Sequence, residues 1–240
     1  MEETLLISYK GVDINQQALG ILNQVNFELH KGEFIYLIGK VGTGKSTFLK
    51  TIYGELDIAG GEATVLGYNM RTIKQKQIAD LRRKLGIVFQ DFQLLTDRSV
   101  YENLEFVLQA TGWKNKTDIR NRIQEVLELV GMSNKGYKMP NELSGGEQQR
   151  IVIARAILNK PEIIIADEPT GNLDIETGNK IVELLHQICQ QGSAIIMTTH
   201  NLSFLTEYPG KVYRCEQHKL QGVSAVSYTH LRAHETRGNL

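Results

Sequence analysis

Residues Gly39-Lys40-Val41-Gly42-Thr43-Gly44-Lys45-Ser46 form a glycine-rich loop between a short apolar run, Phe34 to Ile38, and a stretch of helical character. Strand, loop and helix in that order restrict the fold, because the loop can work only where the flanking elements hold its ends. Its glycines let the backbone curl until several N–H groups converge on one anion, and the helix N-terminus behind them adds partial positive charge. Lys45 supplies a mobile full charge. Ser46 offers a hydroxyl to Mg2+, an ion that keeps several of its waters and takes few protein ligands. Gly39 to Thr47 are therefore candidate residues for binding the phosphates of a nucleotide. A glycine-rich turn with an incidental lysine is the competing explanation, and the flanking strand and helix argue against it.

The rest of the chain suits an α/β fold. Gly86 to Phe89, Ile163 to Ala166 and Ala194 to Thr198 are short continuous apolar runs like Phe34 to Ile38, as expected of parallel strands covered on both faces. Leu5 to Tyr9, Val25 to Leu29 and Glu62 to Leu66 partly alternate and suit a small antiparallel β layer. Between Thr117 and Val130 the apolar residues Ile119, Ile123, Val126, Leu127 and Val130 fall at helical spacing, with Gly131 as a stop. Residues 91–160 are thus expected to be a helical subdomain inserted into a core made of residues 1–90 and 161–220. Residues 221–240 are expected to be a tail outside the fold. The string Ser227 to Thr236 resembles translated cloning adaptor, and His230 and His234 within it are not taken as a metal pair.

Charge and cysteines exclude several function classes. Lys plus Arg equals Asp plus Glu, 27 against 27, so no overall field favours nucleic acid or anionic lipid. Cys189 and Cys215 fit no zinc or redox spacing and are expected to be free thiols. No apolar run approaches the roughly 18 to 20 residues needed to span a bilayer, and the acidic start differs from a secretory signal. A cytoplasmic protein is expected, reaching a membrane only through a partner.

Two further stretches carry chemistry. Ile163-Ile164-Ile165-Ala166-Asp167-Glu168 is a buried strand that ends in adjacent carboxylates. Adjacent side chains on a strand diverge, so Asp167 can face a metal shell while Glu168 faces an attacking water. A helix cap or a solvated loop carboxylate is the plainer reading of either residue alone. Leu143-Ser144-Gly145-Gly146-Glu147-Gln148-Gln149-Arg150 precedes a helical pattern, and Ser144 with Glu147 makes a capping box. A capped helix start is also an anion site, and local chemistry does not separate the two roles.

Leu143 to Arg150 resembles the signature sequence of ATP-binding cassette proteins. The resemblance extends over residues 4 to about 220 and implies an α/β P-loop NTPase fold with a RecA-like parallel sheet core, an antiparallel β layer and an inserted α-helical subdomain. It implies ATP and Mg2+ as ligands and a homodimer with ATP at the interface, where Ser144, Gly145 and Gly146 face the second copy's phosphate loop. Gln90 resembles the family's Q-loop glutamine, implied to contact Mg2+ beside Ser46 and Asp167. Asn172-Leu173-Asp174 resembles its D-loop. His200 resembles its switch histidine, implied to hold the γ-phosphate and orient Glu168, so that Glu168, His200 and Gln90 form the catalytic set. One departure concerns adenine: the family usually stacks the base on an aromatic ring near the N-terminus. None stands around Ile14-Asn15-Gln16, and Tyr9 is the nearest candidate.

Within the family, Phe89 to Asn103, and Asp97-Arg98 above all, resembles the FtsE group of cell-division ATPases. That implies an FtsX-like integral-membrane permease as partner, a peripheral location on the inner face of the cell membrane and control of peptidoglycan hydrolysis. Lipoprotein-release and macrolide-efflux ATPases share Ala166 to Asp174, so an ATPase subunit of such a transporter is the alternative. An ATP-gated scaffold with little turnover is the alternative of another class. The heptad insertion or zinc cysteines of a DNA-repair ATPase and the paired cassettes of a ribosome-acting one are missing from the sequence.

Overall fold

The computed structural model describes residues 4–17 and 19–223. Strands β1 (Leu5–Gln16), β2 (Leu19–His30) and β3 (Phe34–Ile38) lead into helix α1 (Lys45–Ile52). β4 (Gly60–Val65), β5 (Tyr68–Asn69), α2 (Gln75–Arg83) and β6 (Leu85–Val88) follow. Helices α3 (Val100–Ala110), α4 (Lys116–Leu129) and α5 (Gly145–Ile157), with a 3-10 turn at Pro140–Glu142, occupy the stretch before β7 (Ile163–Ala166). Then come α6 (Ile175–Gln190), β8 (Ala194–Thr198), α7 (Phe204–Glu207), β9 (Lys211–Glu216) and β10 (Lys219–Val223).

The strands form two sheets. One has the order β10-β9-β3-β8-β7-β6, parallel from β9 to β6 with β10 antiparallel at the edge. The other is antiparallel, in the order β2-β1-β4-β5. Period-two alternation sorts the side chains of the parallel strands into two cores. Phe34, Tyr36, Ile38, Ile164, Ile195 and Met197 join the apolar faces of α3 to α6. Ile35, Leu37, Ile163, Ile165 and Ile196 join α1 and the antiparallel sheet. Continuous apolar runs are therefore required, since both faces of the sheet are covered, and each fully buried side chain contributes about 1.5–3 kcal/mol.

Helix starts follow the sequence chemistry. Ser99 accepts the Glu102 amide while Glu102 accepts the Ser99 amide, Asn115 caps α4, and Asp174 Oδ1 accepts the Thr177 amide at 2.9 Å. Such caps contribute about 1 kcal/mol each.

The structure departs from the sequence reading in four places. β1 and β2 run well past Tyr9 and begin well before Val25, because the polar ends of both strands pair through irregular register. α2 is absent from the sequence reading because it is short and mostly polar, with only Ile78 and Leu81 as large apolar residues and Leu81 alone buried. The charged hairpin β9–β10 was likewise unread, although β9 pairs with β3 at the centre of the sheet. Finally, β10 carries residues 221–223, which the reading had placed in a tail, and pairs Gln221 with Arg214 and Gly222 with Tyr213. The remainder of that stretch, including His230, His234 and the adaptor-like string, lies outside the described residues.

Candidate active site

Four parallel strands end side by side. Leu37 pairs with Thr198, Met197 with Ala166, and Ala166 with Val88, so β3, β8, β7 and β6 deliver their C-terminal residues to one edge. The loop at Gly39 leaves β3, His200 follows β8, Asp167 and Glu168 follow β7, and Gln90 follows β6. The crevice outside the carboxyl ends of parallel strands is where open α/β sheets place ligands.

The glycine-rich loop is shaped by two glycines in particular. Gly39 has φ +146° and a Cβ there would collide with the Cys215 carbonyl oxygen, while Gly44 has φ +104° and its missing Cβ leaves room for Ile21. The loop also leans on β9, whose Cys215 thiol donates to the Thr43 carbonyl at 2.8 Å. Lys45 opens α1 and is 7% exposed; its Nζ donates to the carbonyls of Gly39 at 2.7 Å and Lys40 at 3.2 Å. Burial lowers the Lys45 pKa, and nearby Glu168 opposes the shift. Ser46 beside it is exposed, and Gly44 to Thr47 form the start of α1, where backbone N–H groups lack intrahelical partners.

At the end of β7 a single hydroxyl links both carboxylate residues. Thr198 Oγ1 donates to Asp167 Oδ1 at 2.7 Å and accepts the Glu168 amide at 2.7 Å. Glu168 is left-handed at φ +48°, a conformation that costs a non-glycine residue about 1–2 kcal/mol. That turn aims its carboxylate back across the sheet edge: Oε1 lies 2.8 Å from His200 Nε2 and 4.0 Å from Lys45 Nζ. Burial raises the Glu168 pKa, with Asp167 adding to the rise and His200 and Lys45 opposing it. The arrangement is a desolvated carboxylate beside an ammonium and an imidazole, a setting in which burial and neighbouring charges pull its pKa in opposite directions.

The other candidates sit around this group. Gln90 is exposed, with its side chain over Gly171, and its carbonyl accepts from Asn172 Nδ2 at 3.0 Å. Ser144 caps α5 in the reciprocal box: its amide donates to Glu147 at 2.9 Å and its Oγ accepts the Glu147 amide at 3.3 Å. Gly145 faces Leu173 and Phe92, and Gly146 faces Thr177, so this helix start packs on the Asn172-Leu173-Asp174 segment. Lys45, Asp167, Glu168 and His200 thus form one cluster, while Ser144 to Gly146 are held against the neighbouring loop. Tyr9 is a core residue instead of a base platform: it is 1% exposed, its hydroxyl lies 3.0 Å from Thr51 Oγ1 and its ring meets Phe48 edge-on. Thr198 and Cys215 had no role in the sequence reading, although a threonine closing an apolar run, as Thr198 does, is a readable signal.

A model of the ABC transporter family matches residues 22–171, more than half of the chain. The chain belongs to the ABC transporter family. This cassette is an ATPase, and its α/β fold is that of the P-loop NTPases. It is 46% identical over 195 residues to the cell division ATP-binding protein FtsE of Streptococcus pneumoniae, covering 81% of this chain and 84% of that protein. Against FtsE of Escherichia coli K12 the identity is 40% over 185 residues, covering 77% and 83%. A solved dimeric ATP-binding cassette, in a post-hydrolysis state bound to ADP and phosphate, is 30% identical with a TM-score of 0.80 and covers 91% of this chain and 98% of that one. The cassette resembles a single chain of that structure over most of its length, and binds ATP.

Proposed function

We propose that this cassette is the ATP-hydrolysing subunit of a cell-division complex of the FtsE type, acting on an FtsX-like integral-membrane partner. The similarity to FtsE proteins over most of the chain carries this reading. Among the described residues no helix is long and apolar enough to cross a membrane, so attachment to the inner face of the cell membrane would come through that partner. Mg2+ fits the donors present. One carboxylate, Asp167, one hydroxyl, Ser46, and one amide, Gln90, are oxygen ligands too few to hold a cation without water and phosphate. No group of three or more His, Cys, Asp or Glu among the described residues forms a metal cage. Bound there, the ion would neutralise charge developing on the phosphates. Lys45 and the loop amides hold the phosphates, Glu168 takes the proton of the attacking water, and His200 orients Glu168.

The proposed working unit is a homodimer in which each ATP lies between Lys45 of one copy and Ser144 to Gly146 of the other. ATP then favours the closed dimer because it binds that state preferentially. Closure drives the membrane partner, and the partner regulates peptidoglycan hydrolysis beyond the membrane. Affinity capture from membranes tests the assignment: an FtsX-like protein is expected to co-purify, and a permease linked to a periplasmic adaptor would replace this reading with the transporter one. Ser144→Arg is expected to leave ATP binding by the monomer within about threefold and to cut phosphate release at least tenfold, since the arginine stands where the second copy's nucleotide would dock. Normal hydrolysis by that variant would exclude the shared site.

A further inference from the structure

Residues 89–99 connect β6 to α3 without helix or strand, and side chains from three separate parts of the chain hold the backbone of residues 90–95. Asn172 Nδ2 donates to the Gln90 carbonyl at 3.0 Å. Asn103, on α3, accepts the Leu95 amide at 2.8 Å and donates to the Leu95 carbonyl at 3.0 Å. Between these anchors, Arg155 of α5 donates from its two terminal nitrogens to the carbonyls of Phe92 at 2.9 Å and Gln93 at 2.5 Å.

The residues Arg155 grips are the ones least able to hold their shape unaided. Phe92 and Gln93 are consecutive left-handed residues, at φ +58° and +50°, and neither is glycine. Such a pair persists only where its surroundings impose it. A planar fork of N–H donors suits two neighbouring carbonyls, a match that an ammonium cannot reproduce. The grip also has a consequence at a distance. The Phe92 ring reaches the start of the same helix, where a Cβ on Gly145 would stand 3.8 Å from Cζ. Phe92 therefore bridges α5 at two points, its carbonyl to Arg155 in the last turn and its ring to Gly145 in the first.

We propose that Arg155 is a positioning residue for ATP hydrolysis, holding residues 92 and 93 left-handed so that Gln90 and the Ser144-Gly145 helix start move as one body. The inference rests on the functional reading of Gln90 and Ser144 given above. The terminal nitrogens of Arg155 are engaged by the Phe92 and Gln93 carbonyls and not by the phosphate loop, so its loss is expected to act on the geometry of the assembled site and to spare that loop.

The test uses the full chain. In Arg155→Ala, kcat for phosphate release is expected to fall about tenfold, while Kd for a fluorescent ATP analogue stays within twofold of wild type. Arg155→Lys is expected to remain impaired. Adding Gln93→Gly to Arg155→Ala is expected to recover at least threefold, because glycine takes the left-handed conformation without steric cost. If Arg155→Ala does not fold, Gln93→Val reports instead: its branched side chain resists the left-handed region with Arg155 intact, and kcat should fall with binding preserved. Unchanged kcat in Arg155→Ala or, where that variant does not fold, in Gln93→Val would overturn the proposal. So would parallel losses of binding, melting temperature and kcat with no recovery by Gln93→Gly, which is the pattern of a purely structural residue. Failure of the underlying reading looks different, since wild-type protein would then show no hydrolysis that depends on Lys45.

Discussion

Lys45→Ala is expected to weaken ATP binding by about 100-fold or more. Lys45 is the buried positive charge of the phosphate loop: it opens α1, is almost fully buried, and already occupies itself with the Gly39 and Lys40 carbonyls. A charged hydrogen bond contributes about 1.5–3 kcal/mol, and an ammonium among phosphate oxygens makes more than one. The loss extends to catalysis, because Lys45 is one of the two groups that hold down the Glu168 pKa. Isothermal titration with Mg-ATP measures the first effect, and a melting curve shows whether the variant is folded. Lys45→Arg is not expected to restore affinity, since a forked guanidinium cannot replace a compact point charge in a loop this tight. A folded Lys45→Ala protein with near-normal affinity would show that the loop does not bind the phosphates.

What could be read from the sequence was what local chemistry determines. β3, β7 and β8 were legible to the residue because both faces of each strand are buried, which leaves an uninterrupted apolar run with polar residues at its ends. The candidate site was legible for the same reason, since Gly39, Asp167, His200 and Gln90 each follow such a run. The capping box of Ser144 and Glu147 is contained in four consecutive residues and was equally accessible.

Roles set by neighbours distant in sequence stayed hidden. Thr198 matters because β8 lies beside β7 and brings one hydroxyl to both Asp167 and the Glu168 amide. Arg155 could be taken for one more charged residue on a helix until its two bonds to Phe92 and Gln93, more than sixty positions away, are seen. Tyr9 illustrates the converse. Its place in an alternating strand gave no hint of which face it lines, and the pairing of β1 with β2 turns it into the core against Phe48 and Thr51. The left-handed turn at Glu168 has no local marker either, because it is imposed by the groups around it and not by a glycine.

Glu168→Gln is the variant expected to separate binding from turnover. Burial raises the Glu168 pKa against the pull of His200 and Lys45, so at acid pH more of the carboxyl is protonated than in an ordinary glutamate. A base must be deprotonated to act, and the acid limb of kcat is therefore expected above the ordinary glutamate range. His200→Ala removes one of the groups that lower this pKa, and the limb should move to still higher pH. In Glu168→Gln the amide is nearly isosteric and keeps its place beside His200, but it cannot take a proton from water. General-base loss typically costs 10² to 10⁴ in rate, so phosphate release should drop by about 100-fold or more while ATP binding is retained. With hydrolysis stopped and nucleotide still bound, the ATP-stabilised dimer should accumulate and elute early on gel filtration in Mg-ATP, returning to monomer when nucleotide is removed. A variant that turned over at the wild-type rate would remove Glu168 from the chemistry and favour a scaffold that binds ATP and hydrolyses little. A variant that bound ATP, stopped turning over and stayed monomeric would instead leave the base in place and take away the shared site.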